Sequence, residues 1–238
     1  MKISIIVTLI TSAIILSCSC SRVEKTEAER EREEWIAGFN DSISYYKNLS
    51  DDITLKLDNL NSEINTLLEN FEFIRNPREV SGYYIMKGWN SKLPFVNTGI
   101  YARINEGEKL ELIATLGGAT FNQISVGGIR SEVRHHDQAF NFRHERFNTV
   151  YFSGEETDSL ARYIYENKNN ALKLEYLEGN RPRVFSLPEN EKNMVAQTWL
   201  LYSNQSEAHK LQKELWIASR KIETFRRLLN MENAEKKE

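Results

Sequence analysis

The chain has 238 residues, of which 31 are basic and 34 are acidic, so its formal net charge is −3. A slightly acidic chain lacks the basic surplus that draws proteins to nucleic acid, and no nucleic-acid partner is expected. This length fits one domain, or one domain with a helical stalk, and the aromatic content of 11% is enough to build a core.

The first segment has the layout of a secretory signal. Met1 and Lys2 form a short basic start, and residues 3–16 are apolar or small throughout. This run is shorter than the roughly 20 apolar residues that a bilayer-spanning helix needs. Residues 15–18 read ILSC, which resembles the lipobox of bacterial lipoproteins. The resemblance implies that residues 1–17 are a cleaved signal peptide and that Cys18 carries a diacylglyceryl group, usually with an acylated amino terminus.

A lipid on Cys18 implies a membrane anchor in the cell envelope. Ser19 follows the cysteine where some lipoproteins have aspartate, and this resembles an outer-membrane sorting signal. With Cys18 lipidated, Cys20 is the one remaining thiol of the mature chain, so no intrachain disulfide is expected. The alternative is an ordinary cleaved signal with Cys18 unmodified. The whole chain is similar to uncharacterised predicted lipoproteins of Gram-negative bacteria, a resemblance that implies no activity.

Residues 18–34 form the predicted lipid anchor and charged linker, although the alternating charges of residues 21–34 are also typical of a fraying helix start. A heptad repeat then predicts a coiled-coil helix over residues 35–76, which Asn76 and Pro77 would end. Eleven of its twelve seam positions are apolar and one is a serine: Ile36, Phe39, Ile43, Tyr46, Ser50, Ile53, Leu57, Leu60, Ile64, Leu67, Phe71 and Ile74.

Between residues 77 and 186 the period changes from helical to strand-like, which predicts a small, mostly antiparallel β-sandwich or open barrel. One short helix, residues 155–167, interrupts the strands, and Ser153 with Glu156 predicts a capping box at its start. The predicted strands are Tyr83 to Met86, Gly99 to Ile104, Lys109 to Thr115, Phe121 to Val126, Asn148 to Phe152, Leu172 to Leu177 and Arg183 to Phe185.

A second heptad pattern predicts a coiled-coil helix over residues 187–232, followed by a charged tail at residues 233–238. The stretches Ile36 to Ile74 and Glu191 to Leu229 each span 38 steps, so an antiparallel pair would match in length. The predicted fold is therefore α+β, a long antiparallel helical hairpin with the β domain inserted between its helices. Two alternatives stay open: a larger helical bundle, and a parallel homodimer through the first helix, because heptads fix neither partner nor direction.

One cluster of residues has side chains suited to ligand binding or catalysis. Its candidate ligand surface consists of Arg130, Arg134, His135, His136, Arg143 and His144. With Asp137, the histidines are the ligand types that zinc prefers, but their spacing matches no established zinc pattern and nearby arginines disfavour a cation. Arginines flanked by Phe140 and Phe142 instead suit an anion or a glycan. A third interpretation is an ordinary strand with those two phenylalanines in the core.

These patterns favour a non-enzymatic function. The leading hypothesis is a lipid-anchored envelope protein whose coiled-coil stalk presents the β domain to a macromolecular partner, as a monomer or a coiled-coil homo-oligomer. No cofactor, bound metal or catalytic residue is expected. The first alternative is a glycan- or anion-binding accessory protein, and the second is a metal-dependent enzyme that uses His135, His136 and His144.

Overall fold

The computed structural model describes residues 26–75, 82–89, 97–106, 109–133, 142–144, 147–178 and 181–235. They form two compact units. The helical unit contains the described residues up to Asn48 together with those from Ala218 onward, and the sheet unit contains Leu49–Ile217.

The fold is α+β, with N- and C-terminal helices flanking antiparallel sheets, as the sequence predicts. The described helices and strands are α1 (Glu27–Leu68), β1 (Phe71–Ile74), β2 (Tyr83–Met86), β3 (Gly99–Asn105), β4 (Lys109–Gly117), β5 (Gln123–Val126), β6 (Ile129–Glu132), β7 (Phe142–His144), β8 (Phe147–Ser153), α2 (Glu155–Glu166), β9 (Lys173–Glu178), β10 (Arg181–Ser186) and α3 (Glu189–Glu235).

Helix α1 begins within the charged segment. The Thr26 amide donates a hydrogen bond to the Glu29 Oε2 atom over 2.8 Å, and the Glu29 amide donates one to Thr26 Oγ1 over 3.3 Å. This reciprocal pair is a capping box, which satisfies two amides that the first helical turn leaves without partners. Of the two interpretations of this segment, residues from Glu27 onward therefore follow the helical one.

The first helix ends earlier than predicted, at Leu68 rather than at Asn76. Phe71 and Ile74, assigned to the coiled-coil seam, lie instead in β1, which pairs with β2 in the register Phe71↔Met86. The Lys87 amide also donates to the Asn70 carbonyl oxygen over 2.9 Å. Spacings of three and four residues fit one helical face, but a short stretch of aromatic and β-branched residues also fits a strand, and the ladder to β2 decides between them.

In the helical unit, α1 and α3 contact each other through large side chains and through an ion pair. The ring centroids of Phe39 on α1 and Phe225 on α3 are 5.4 Å apart, and within α1 Trp35 packs edge-on against Phe39 at 4.2 Å. Nearer the start of α1, the Arg32 Nε atom lies 2.7 Å from Glu232 Oε1. Arg32 and Phe39 follow each other along α1, whereas their partners Glu232 and Phe225 occur in the reverse order along α3.

The sheet unit contains a six-stranded sheet in the order β1-β2-β3-β4-β8-β7 and a four-stranded sheet in the order β10-β9-β5-β6. All eight described strand pairings are antiparallel, which confirms that aspect of the prediction. Aromatic side chains join the sheets, because Phe121 lies 6.3 Å from Phe152 and 4.9 Å from Tyr176 between ring centroids. The Tyr176 hydroxyl also donates to the Gly99 carbonyl oxygen over 2.8 Å.

Helix α2 packs against this core through Leu160 and Ile164, both fully buried, as its apolar spacing predicts. The capping box expected from Ser153 and Glu156 is wrong. Ser153 is the last residue of β8, and Gly154, which caps the helix without a side chain, has a φ of 105°. Only glycine adopts this left-handed backbone readily, so the sharp turn from strand to helix takes precedence over side-chain capping.

Candidate functional site

The predicted ligand surface is only partly within the described residues. Arg130 lies on β6, the edge strand of the four-stranded sheet, with its side chain exposed. Arg143 and His144 belong to β7, the edge strand of the six-stranded sheet, in the register Arg143↔Asn148 and His144↔Phe147. The described residues of the predicted surface therefore lie on edge strands of two different sheets. Other residues of these predictions lie outside the described ranges: Cys18, Arg134, His135, His136, Asp137 and Phe140.

A buried ion pair lies between neighbouring strands of the six-stranded sheet. Arg103 on β3 faces Glu111 on β4, and the Arg103 Nε atom donates to Glu111 Oε2 over 2.8 Å. Arg103 is only 6% exposed, so its charge has little access to water. A buried guanidinium requires a nearby carboxylate and enough acceptors, because removing a charge from water costs several kcal/mol.

Tyrosines surround this ion pair. The Arg103 guanidinium carbon lies 4.3 Å from the centre of the Tyr83 ring and 5.2 Å from that of Tyr151, within the range of cation–π attraction. Burial raises the pKa of the neighbouring Tyr101 well above its usual value, and the Tyr151 hydroxyl adds to this effect, whereas Arg103 opposes it. Tyr101 therefore remains a neutral phenol at physiological pH. Because Arg103 is buried and paired with Glu111, the cluster is a closed structural site.

A more accessible site is the α2–α3 cleft of the sheet unit, which has a volume of about 240 Å³. Helix α2 contributes Asp158, Ser159 and Arg162 to its lining. Helix α3 contributes residues three or four positions apart, which places them on one helical face: Trp199, Tyr202, Ser203, Ser206, Glu207 and Lys210. The cleft therefore combines an indole and a phenol with hydroxyl groups and both signs of charge.

Asp158 and Tyr202 connect the two walls of this cleft. The Tyr202 hydroxyl donates to Asp158 Oδ2 over 2.8 Å. Burial raises the pKa of Asp158, while the hydrogen bond from Tyr202 partly opposes that shift. Burial and the same hydrogen bond raise the pKa of Tyr202 to about 12. Tyr202 therefore keeps its proton at neutral pH and holds the Asp158 carboxyl in a fixed orientation.

Two further groups of the cleft have defined surroundings. The Trp199 ring is half-buried, and its centroid lies 4.8 Å from that of Tyr165. The Ser159 hydroxyl donates to the Glu155 carbonyl oxygen over 2.8 Å, so its lone pairs remain available as acceptors. Trp199 lies beside the second heptad pattern, which indicates packing, and no motif includes Arg162. The cleft depends on the approach of two helices that are distant in sequence, and no local pattern signals it.

A wider groove of about 750 Å³ lies in the helical unit. Lys47, Arg226 and Arg227 line it together with apolar side chains such as Ile222 and Met231. It is an elongated surface between two helices, whereas the α2–α3 cleft gathers its polar groups around a small volume.

Comparisons with protein-family models, with curated proteins and with solved structures find no match for this chain. Within the described ranges, none of the helices has a stretch that is long and apolar enough to cross a bilayer. The same ranges contain no group of three or more histidine, cysteine, aspartate or glutamate side chains placed to hold a metal ion.

Proposed function

We propose that this protein is a lipid-anchored, non-enzymatic component of a bacterial cell envelope. In this proposal, lipid on Cys18 holds the chain to the outer membrane, and the terminal helices pair as an antiparallel coiled-coil hairpin. The sheets, arranged as a sandwich or open barrel, bind a macromolecular partner. The lipobox-like residues 15–18 support the anchor, and the contacts within the helical unit support the hairpin.

The spacing of two contacts supports the hairpin most strongly. Arg32 and Phe39 are seven residues apart on α1, and their partners Glu232 and Phe225 are seven apart on α3 in the opposite direction. One heptad on each helix separates the contacts, which is the repeat that a coiled coil requires. Ile36 and Leu229, which begin and end the two matched heptad stretches, lie between these two contacts on their helices.

The charge of α1 also bears on the choice of partner. Residues 27–48 carry six acidic and three basic side chains, whereas residues 218–235 carry four basic and three acidic ones. Two copies of the acidic segment would repel each other, whereas the α3 segment is close to neutral. This difference in charge favours an intrachain hairpin over a parallel homodimer.

A binding role suits the polar groups that the sheet unit brings together. Arg103 is paired with Glu111 in a closed site, and Asp158 is held by Tyr202 at the wall of a small cleft. Neither pair places an activated nucleophile beside a general base, the arrangement that covalent catalysis requires. Such groups suit the binding of a partner or ligand without a chemical step.

The anchor is tested by changing Cys18→Ser in the full chain expressed in a Gram-negative host. We expect this variant to lose incorporation of labelled palmitate and to leave the membrane fraction. The matched variant Cys20→Ser keeps both properties, because the lipobox resemblance assigns the lipid to Cys18. Equal labelling of the wild type and Cys18→Ser would refute the anchor.

Partner binding is tested by photo-crosslinking in intact cells, with the reactive side chain placed at one exposed position at a time. Val184 on β10, 49% exposed, reports on the sheet unit, and Met231, 56% exposed, reports on the helical unit. We expect one defined crosslinked species from position 184. Defined crosslinks from position 231 alone would contradict the assignment of partner binding to the sheets.

A further inference from the structure

We propose that the α2–α3 cleft is a binding site for one neutral sugar ring of a glycan. This site is separate from the arginine and histidine surface predicted from the sequence, and it does not depend on the lipid anchor. The inference comes from the charge balance, shape and aromatic lining of the cleft.

The balance of charges in the cleft favours a neutral ligand over an anion or a cation. Lys210 is neutralised by Glu207, since its Nζ atom lies 3.3 Å from Glu207 Oε2. Asp158 and Arg162 then remain, one of each sign, and Arg162 has no ion-pair partner among the residues that the structure describes. A small anion would meet the Asp158 carboxylate, and a cation would meet the Arg162 guanidinium. A polyol suits both, because each hydroxyl group donates and accepts hydrogen bonds.

The remaining lining supplies what a sugar ring needs. Ser203 and Ser206 add half-buried hydroxyls on α3, and Ser159 offers acceptor lone pairs on α2. Trp199 and Tyr202 provide aromatic surface against which the C–H groups of a pyranose pack. Because Tyr202 holds Asp158 in place before any ligand binds, less conformational freedom is lost on binding.

The size of the cleft limits the ligand to one ring. Its volume of about 240 Å³ equals that of about eight water molecules at roughly 30 Å³ each. This is below the roughly 300–1,000 Å³ of sites that enclose drug-sized ligands, so a single sugar unit fits and a nucleotide does not. Because α2 and α3 leave the cleft open to solvent, the neighbouring units of a longer glycan would extend outside it.

The test is an NMR titration of the lipid-free protein with methyl glucoside, methyl galactoside and methyl N-acetylglucosaminide. We expect at least one of these probes to shift the Trp199 indole resonance saturably in the millimolar range. The variant Arg162→Ala should weaken that binding roughly tenfold or more, since it removes hydrogen bonds from a charged donor. The matched variant Arg220→Ala, which removes an exposed helical arginine outside the cleft, should bind like the wild type.

Three results would overturn the proposal. The first is no Trp199 shift with any of the three sugars, and the second is a shift with sodium phosphate or acetate alone. The third is a sugar-induced shift that Arg162→Ala leaves unchanged. The dispersed amide spectrum of each variant reports whether it is folded. Arg162 is an exposed helical residue, and alanine is the strongest helix former, so loss of the fold is not expected.

Discussion

The sheet unit and the helical unit bury their large side chains to very different extents. In the sheet unit, Phe152 and Ile113 are 0% exposed, whereas in the helical unit Trp35 is 43% exposed and Met231 is 56% exposed. Ala218 is the one fully buried apolar residue in the described part of the helical unit. Burial in a shared core stabilises the sheets, while half-exposed contacts along two helices stabilise the helical unit. We therefore expect the helical unit to open locally at lower free energy than the sheets.

The largest effect is expected from Phe152→Ala. This substitution removes a ring that contacts Phe121 in the core between the sheets and should lower the free energy of unfolding by about 4 kcal/mol. Urea unfolding followed by circular dichroism measures it. The control Phe73→Ala truncates a ring that is 43% exposed on edge strand β1 and should cost less than half as much. Equal costs would contradict the difference in burial.

The same substitution in each unit compares a buried ion pair with an exposed one. Glu111→Gln leaves the Arg103 charge buried without its counter-ion and should cost about 3 kcal/mol of unfolding free energy. Glu223→Gln breaks the pair between Glu223 and Arg220 in the helical unit and should change stability by less than about 0.5 kcal/mol, because water solvates both groups. Chemical denaturation of both variants measures the difference. A cost for Glu111→Gln as small as that for Glu223→Gln would show that the buried pair contributes little.

Phe225→Ala tests the independence of the helical unit. The ring contacts Phe39 and Tyr46, and its loss should lower local stability by about 1 kcal/mol. Hydrogen exchange should accelerate at amides of residues 27–48 and 218–235 and remain unchanged in the sheets. Equal acceleration in both units would show that they open together.

The smallest effect concerns Asp158, which lies in the sheet unit but is only half-buried. Burial raises the pKa of its carboxyl, so folding favours the protonated form, and the wild type loses stability as the carboxyl ionises. Asp158→Asn cannot ionise, so its stability relative to the wild type should increase as the pH rises from about 3 to 7. Urea midpoints across this range measure the gap. A gap that widens toward acid would contradict the direction of the shift.

Local patterns predict most elements of the sheet unit. Strand β2 has the predicted bounds Tyr83–Met86, and α2 begins at the predicted Glu155. Strand β1 was not predicted because Phe71 and Ile74 continue the heptad spacing, and β6 was not predicted because Ile129 is its only apolar residue. Strand β7 agrees with the interpretation of Phe142 as part of an ordinary strand. The capping box of Thr26 and Glu29 has a recognisable spacing, but the charged residues around it gave no apolar pattern with which to place a helix start.

The candidate site was less predictable than the fold. Arg103 and Glu111 lie in predicted strands eight residues apart, yet their pairing depends on the register of the hairpin that joins β3 and β4. Asp158 and Tyr202 are 44 residues apart, and their contact depends on how α2 and α3 pack in the same unit. Charged and aromatic side chains at such positions resemble ordinary surface and packing residues until the tertiary structure brings them together.

The proposed antiparallel hairpin of α1 and α3 is tested most directly by measuring the electron–electron distance between spin labels at Glu34 and Asn230. Both residues are exposed in the helical unit. Helices packed side by side have axes about 8–10 Å apart, so the labels should lie within about 20 Å of each other. Protein labelled at Glu34 alone should give no comparable distance. A separation well beyond about 20 Å in the doubly labelled chain, or a short distance between singly labelled copies, would contradict an intrachain antiparallel hairpin.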